Sequence, residues 1–248
     1  MIDLIFNLRD DKPQLVNSAF LIENIGQLQT GIFSDREIDY IQHQIENKKK
    51  FITLNYYYHW NYIIISDPND NLYQRAEELR KLGAKTADHA KENEVHFVNV
   101  VDSLTDGLLP LSFVEGIALA SYNFKKYITE NQKNKRFGRI NLYSKNVTLE
   151  CIEKLEVVIT AAYNARDLVN EPASYLTANK LADEAMRIGS ETGAKVQVFR
   201  KAEIQQMGMG GLLSVNQGST EPPTFTVMEW KPQNAVNQKP VVLVGKGV

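Results

Sequence analysis

The stretch Thr148-Leu-Glu-Cys-Ile-Glu-Lys-Leu-Glu-Val-Val-Ile-Thr-Ala-Ala-Tyr-Asn-Ala-Arg-Asp-Leu-Val-Asn-Glu-Pro172 decides how this chain is organised. Cys151, Leu155, Val158, Ala162, Ala165 and Val169 recur in steps of three and four, which is one apolar stripe along a long helix. Pro172 ends it, because the residue before a proline is pushed out of the helical region. The spacing predicts a helix from 149 to 171 with Leu155, Val158, Ala162 and Val169 largely buried. Cys151 falls on the stripe and reads as a packing residue rather than a nucleophile. A long amphipathic helix between two alternating strand–helix regions serves as a connector. The expected organisation is an α/β domain over 1–147, a linker helix over 148–172 and a second α/β segment over 173–248.

Before the linker, strands are expected from Ile2 through Ile5, over Ala19–Ile22, Val95–Val101 and Arg139–Tyr143. Phe51–Tyr58 and Tyr62–Ser66 are rich in β-branched and aromatic residues and read as a hairpin turning at His59-Trp60-Asn61. Ser34 with Glu37 three residues on forms a helix start, followed by Ile38, Ile41 and Ile45 on one face. Leu72–Ala90, with Gly83 as a weak point, and Leu111–Tyr127 complete the helices. Such alternation predicts a mixed sheet covered by helices.

After Pro172 a helix runs through Leu181, Ala185 and Ile188, then a strand over Lys195–Phe199, a short helix over Ala202–Met207 stopped by Gly208, and a strand over Thr224–Trp230. Val241-Val-Leu-Val244 is wholly apolar and reads as a central, doubly buried strand. Since a domain rarely ends on the rim of its most buried strand, the expectation is a truncated chain.

Composition narrows the function classes. The 248 residues carry 28 Lys+Arg, 30 Asp+Glu, four His and one Cys, with 43% hydrophobic residues. That supports a sizeable core and rules out a disulfide framework. No window approaches the ~18–20 apolar residues of a membrane span, and the N-terminus lacks a basic leader, so the chain is expected in the cytoplasm. The two sections on either side of residue 150 each balance acid and base, with 18 bases against 20 acids and then ten of each. Nucleic acid and anionic membranes therefore find little general attraction. Lys48-Lys49-Lys50 and Lys133 to Arg136 read as solvated helix ends or loops.

Few constellations carry chemistry. His43, His59, His89 and His96 show no zinc-ligand spacing, and no G-x-S-x-G elbow is present. Gly208-Met-Gly210-Gly211 follows a helix rather than a strand, so helix termination explains it better than a phosphate loop. Gly245-Lys246-Gly247 lacks both the earlier glycine and the Ser or Thr of a P-loop. Lys246 is left as the one candidate, since sites in α/β folds gather at the carboxyl ends of parallel strands.

Several word-length matches now converge. Asn164-Ala-Arg-Asp-Leu-Val-Asn-Glu-Pro-Ala173 with Leu176-Thr177 and Lys180-Leu-Ala182, then Gly208–Ser219 with Glu221-Pro-Pro223, then Val242-Leu-Val-Gly-Lys-Gly-Val248 resemble the leucyl aminopeptidase family, also called cytosol aminopeptidases or peptidase family M17. Glu115-Gly116 and Tyr122–Tyr127 fit the same resemblance. It implies a macro-domain-like N-terminal domain, the linking helix and the incomplete beginning of an α/β metallopeptidase catalytic domain. It implies removal of N-terminal residues from peptides by two divalent ions, zinc or manganese, and a homo-hexamer for the full-length protein. Lys246 matches the family's metal-ligating lysine. The other four metal ligands and the catalytic lysine and arginine belong to motifs beyond Val248, so no catalytic residue is assigned within this chain, which is expected to bind no metal and to be inactive alone. The alternative is a stand-alone macro-like module that binds a nucleotide, nucleic acid or partner subunits, although residues 1–110 offer only the widely spaced Gly26, Gly31, Gly83 and Gly107.

Overall fold

The computed structural model describes residues 5–9, 15–28, 31–128 and 138–247. The expected strand residue Ile2 and the cluster from Lys133 to Arg136 lie outside them. The chain divides into two compact units, Met1–Asp167 and Leu168–Val248.

Six strands form the sheet of the first unit: β1 (Ile5–Arg9), β2 (Ser18–Ile22), β3 (Phe51–Asn55), β4 (Trp60–Ile65), β5 (Phe97–Asp102) and β6 (Arg139–Tyr143). Their order is β1-β6-β5-β2-β4-β3, parallel throughout except for the antiparallel edge strand β3. All five residues of β2 are buried, as expected of a central strand covered on both faces. Period-two alternation divides the strands between two cores. Ala19, Leu21, Tyr62 and Ile64 face helices α2 (Leu72–Glu92), α3 (Leu108–Ala120) and α4 (Leu149–Asn170). Phe20, Ile22, Ile63 and Ile65 pack with Phe33 and with Ile41 of α1 (Asp35–Glu46) on the other side.

A polar row crosses this apolar sheet. Asn7 Nδ2 donates to Asn141 Oδ1 at 2.9 Å, Asn141 Nδ2 to Asn99 Oδ1 at 2.7 Å, and Asn99 Nδ2 to the Val16 carbonyl at 2.9 Å. Ser18 and Asn61 continue the row in register, with Ser18 N donating to Asn61 Oδ1 at 3.1 Å. Buried amides are tolerated because their donors and acceptors meet one another.

The hairpin turns earlier than the sequence suggested. β3 stops at Asn55, whose Oδ1 accepts from Tyr57 N at 2.7 Å, and Tyr57 adopts a left-handed φ of 66°. Trp60 and Asn61 already belong to β4. Helix α3 likewise begins at Leu108 and ends at Ala120, where Ser121 Oγ folds back to donate to the Ile117 carbonyl at 2.7 Å.

Gly83 is a contact point between helices, not a weakness within one. A Cβ on Gly83 of α2 would meet the Phe113 carbonyl oxygen at 2.1 Å, and one on Gly116 of α3 would meet the Arg80 carbonyl oxygen at 1.9 Å. The two glycines let α2 and α3 approach backbone to backbone.

Helix α4 forms as expected, but with its buried face shifted. Ile152 and Ile159 are the buried residues, with Leu155 and Tyr163 packed beside them. Val158 and Val169 are 55% and 84% exposed, contrary to expectation. Val158 and Ile159 are adjacent and both apolar, so the spacing alone leaves the phase of the helix open; the larger isoleucine points inward. Cys151 is half-buried against the core, its Sγ 3.3 Å from Thr148 Oγ1.

In the second unit, α5 (Ala178–Thr192) covers the antiparallel pair β7 (Lys195–Arg200) and β8 (Thr224–Glu229). Gly189 brings α5 close, since a Cβ there would meet Val196 Cγ2 at 2.5 Å. The short α6 (Lys201–Gln206) ends at Gly208, which takes φ 68°, and α7 (Gly210–Asn216) follows as a helix the sequence reading did not include. Val241–Val244 is not a strand: it has no regular secondary structure and is 73–92% exposed. A wholly apolar strand needs ladder partners and covering layers on both faces, and the described residues of this unit provide only the β7–β8 pair.

Candidate functional site

Sites in α/β folds lie at strand ends, here the carboxyl edge of the six-stranded sheet; Lys246 is the candidate offered by the sequence.

At the sheet edge, four of the five parallel strands have a polar residue at their exit. Glu23 follows β2, Ser66 follows β4, Asp102 closes β5 and Ser144 follows β6. Arg75, in the first turn of α2, reaches up between them. Its Nη2 lies 2.5 Å from Glu23 Oε1 and its Nε donates to Ser66 Oγ at 3.0 Å. Both side chains are largely buried, with exposures of 10% and 15%, so the pair needs these supporting hydrogen bonds to balance its desolvation. Asp102 accepts from Ser144 Oγ at 2.7 Å and from Leu104 N at 2.9 Å. Burial pushes its carboxyl above the usual range, and the nearby Glu23 adds to the rise while those two hydrogen bonds oppose it. Gln27 ties the edge together: its Oε1 accepts from Glu23 N at 2.6 Å and its Nε2 donates to the Ser103 carbonyl at 3.0 Å.

These groups are occupied with one another. Arg75 is spent on Glu23 and Ser66, and Asp102 on Ser144 and the following loop. Chemically the edge is a network that fastens four strand exits. Sequence reasoning did not single out Glu23, Arg75 or Asp102. The available signal was a charged residue directly after an apolar run, as in Leu21-Ile-Glu23 and Val100-Val-Asp102.

The histidines fit ordinary roles. His89 packs edge-on to Trp60 at 4.6 Å and lies 3.2 Å from the Tyr62 hydroxyl, and burial lowers its pKa. His59 stacks on Tyr56 at 4.8 Å, and Asn47 Nδ2 approaches His43 Nε2 at 3.2 Å.

Lys246 lies on the exposed 240–247 segment, where a Cβ added to the neighbouring Gly247 would lie 3.8 Å from Leu181 Cδ2. Among the described residues no three His, Cys, Asp or Glu are grouped so that they could hold a metal ion. A divalent ion takes about four to eight ligands, and the described residues bring no such set together around Lys246. No helix among the described residues is long and apolar enough to cross a membrane.

Comparison with known proteins connects these features. Residues 163–248 match the profile of the cytosol aminopeptidase family, catalytic domain. A probable cytosol aminopeptidase of Chlorobium limicola is 40% identical over 149 residues, covering 55% of this chain and 29% of that protein. One of Chlorobaculum tepidum is 41% identical over 147 residues, 54% of this chain and 29% of that protein. The aligned part thus spans under a third of the length of these relatives. Among solved structures, a tomato leucine aminopeptidase mutant superposes with a TM-score of 0.68 at 17% identity, over 91% of this chain and 50% of that one. The bottromycin maturation enzyme BotP in complex with Mn gives 0.64 at 17% identity, over 87% and 45%. At that identity the likeness is one of fold. The kinship expected from Asn164–Ala173 and the later motifs is borne out by the family profile and the sequence relatives.

Proposed function

We propose, from membership in the cytosol aminopeptidase family as the premise, that this chain is the N-terminal part of a leucyl-type aminopeptidase that hydrolyses N-terminal residues from peptides. On this reading residues 1–147 are its macro-like domain, 148–172 its linker helix and 173–248 the opening of its catalytic domain. The single observation that carries the reading is the catalytic-domain match over residues 163–248. The complete protein would act in the cytoplasm on peptide substrates, as a homo-hexamer holding two zinc or manganese ions, with Lys246 as one ligand.

A lysine can ligate only as the neutral amine, so metal binding must displace its proton. One such group cannot hold two ions, and the 248-residue chain by itself should be inactive. The test compares hydrolysis of leucine amide, with added manganese or zinc, by this chain and by the full-length protein. The full-length protein should turn over and the chain should not. Metal-dependent turnover by the chain would refute the ligand count, and an inactive full-length protein would remove the aminopeptidase reading. In the full-length protein Lys246→Ala and Lys246→Arg should both lower metal content, since guanidinium stays protonated and offers no lone pair. Normal metal content in both would exclude Lys246 as a ligand.

A further inference from the structure

A helix leaves its last four carbonyls without helical donors, and α3 has no basic residue in its own last turn. In α3 the Ser121 backbone N–H reaches the Ile117 and Ala118 carbonyls, both at 3.0 Å, and each of the four carbonyls also has a side-chain donor. Ser121 Oγ donates to Ile117 O at 2.7 Å, Tyr163 Oη to Ala118 O at 2.5 Å, Arg166 Nη1 to Leu119 O at 2.6 Å and Lys91 Nζ to Ala120 O at 2.5 Å. Just beyond the helix end, Tyr122 Oη donates to Asp167 Oδ1 at 2.8 Å. The Arg166 guanidinium lies 4.5 Å over the Tyr122 ring, and Tyr163 meets that ring edge-on at 5.1 Å.

Three residues of α4, at 163, 166 and 167, therefore converge on one helix end. Their spacing from Ile159 puts them on the same side of α4 as its buried residues. Cations are favoured at a helix C-terminus, and an arginine over an aromatic face gains a further attraction. Burial raises the Tyr163 hydroxyl to about 12, so it remains a proton donor at any working pH. The seam is graded along its length. Ile152 and Ile159 are 3% and 0% exposed near its start, whereas Arg166 at its end is open to water.

We propose that Arg166 and Asp167, together with Tyr122, form a clasp that fixes the C-terminal half of α4 to the first unit. Opening the clasp releases α4 from about Tyr163 onward as a local unit while the sheet stays folded. Two residues of the Asn164-Ala-Arg-Asp167 motif thus serve fastening rather than chemistry.

Hydrogen exchange on the 248-residue chain tests this, with Arg166→Ala and Tyr122→Phe as variants. Tyr122→Phe removes only the hydroxyl and keeps the ring beneath Arg166, so it stays informative if Arg166→Ala folds poorly. The amides of 163–167 should exchange about tenfold faster in Arg166→Ala and a few-fold faster in Tyr122→Phe, with β5 and β6 unchanged. Arg166→Lys should not restore the slow rate, because an ammonium lacks the planar fork that both donates and stacks. Unchanged exchange at 163–167 in both variants would overturn the clasp. So would equal acceleration in β5 and β6, since opening would then be global.

Discussion

Replacing Gly116 by alanine adds one methyl group where α3 crosses α2. The new Cβ would lie 1.9 Å from the Arg80 carbonyl oxygen, 2.7 Å from its carbon and 2.9 Å from its Cα. All three are backbone atoms of a helix, so no side chain can swing aside. Non-bonded heavy atoms prefer about 3.5–4.0 Å, and relief therefore requires the helices to part by more than about 1 Å. Parting them loosens Phe113, Ile117 and Leu79, all within 1% of full burial. Overpacking of this kind costs about 1–3 kcal/mol or more, while alanine regains about 1 kcal/mol of helix propensity. Because the obstacle is main chain, the upper part of the range applies, and the net loss should be about 2–3 kcal/mol. For a unit of this size that lowers the midpoint of thermal unfolding by roughly 4–12 °C. Gly83→Ala should behave similarly, its Cβ meeting the Phe113 carbonyl oxygen at 2.1 Å. One displacement relieves both clashes, so the double variant should lose less than the sum of the two singles. Gly211→Ala, with nothing within 4 Å, is the control. Thermal and urea unfolding of the four proteins decides the matter. A neutral or stabilised Gly116→Ala would refute the close-crossing account, and strict additivity would refute the shared displacement.

The remaining predictions concern the sheet edge and α4. Burial and Glu23 raise the Asp102 carboxyl in the folded state, so the native fold favours its protonated form. The resulting penalty is absent below the ordinary carboxylate pKa of about 4, sets in as pH rises through the folded value, and is full at neutral pH. Asp102→Asn should therefore be more stable than the parent at pH 7.5, with the gap closing towards pH 3.5. Urea midpoints at the two pH values check the sign, and a less stable variant at pH 7.5 would contradict it. Ile159→Ala should destabilise the first unit by about 2–5 kcal/mol, whereas Val158→Ala, one residue away and 55% exposed, should stay within about 0.5 kcal/mol. Equal losses would mean that the buried face of α4 is misassigned.

Much of the first unit was legible because its strands and helices obey their periods. Ala19–Ile22, Arg139–Tyr143 and the long helices sit where apolar spacing put them. What periodicity could not read is which of two adjacent apolar residues points inward, hence the Val158–Ile159 exchange on α4. Asn61 looked like a turn residue, yet it is buried because Ser18 supplies its hydrogen bond; a partner 43 residues away leaves no local trace. Val241–Val244 shows the converse, since apolar composition describes a suitability for burial and not the presence of neighbours. Kinship came from words such as Asn164–Ala173 that specify family, while Glu23, Arg75 and Asp102 come together only through the strand order.

The asparagine row has a consequence for how the sheet finds its alignment. Alternation of apolar faces forbids a strand from slipping by one residue, because every side chain would change face. It is blind to a slip of two, after which Leu and Ile still face inward. The row closes that loophole. A two-residue shift of β6 would set Asn141 opposite Ile5 or Arg9 of β1 and Phe97 or Val101 of β5, parting the amides and stranding buried donors at a penalty of about 1–3 kcal/mol each. Asn7 and Asn141 stand 134 positions apart, so this part of the check waits until β1 and β6 meet. The amides thus act as a parity check on assembly, rejecting mispairings that hydrophobicity alone would accept.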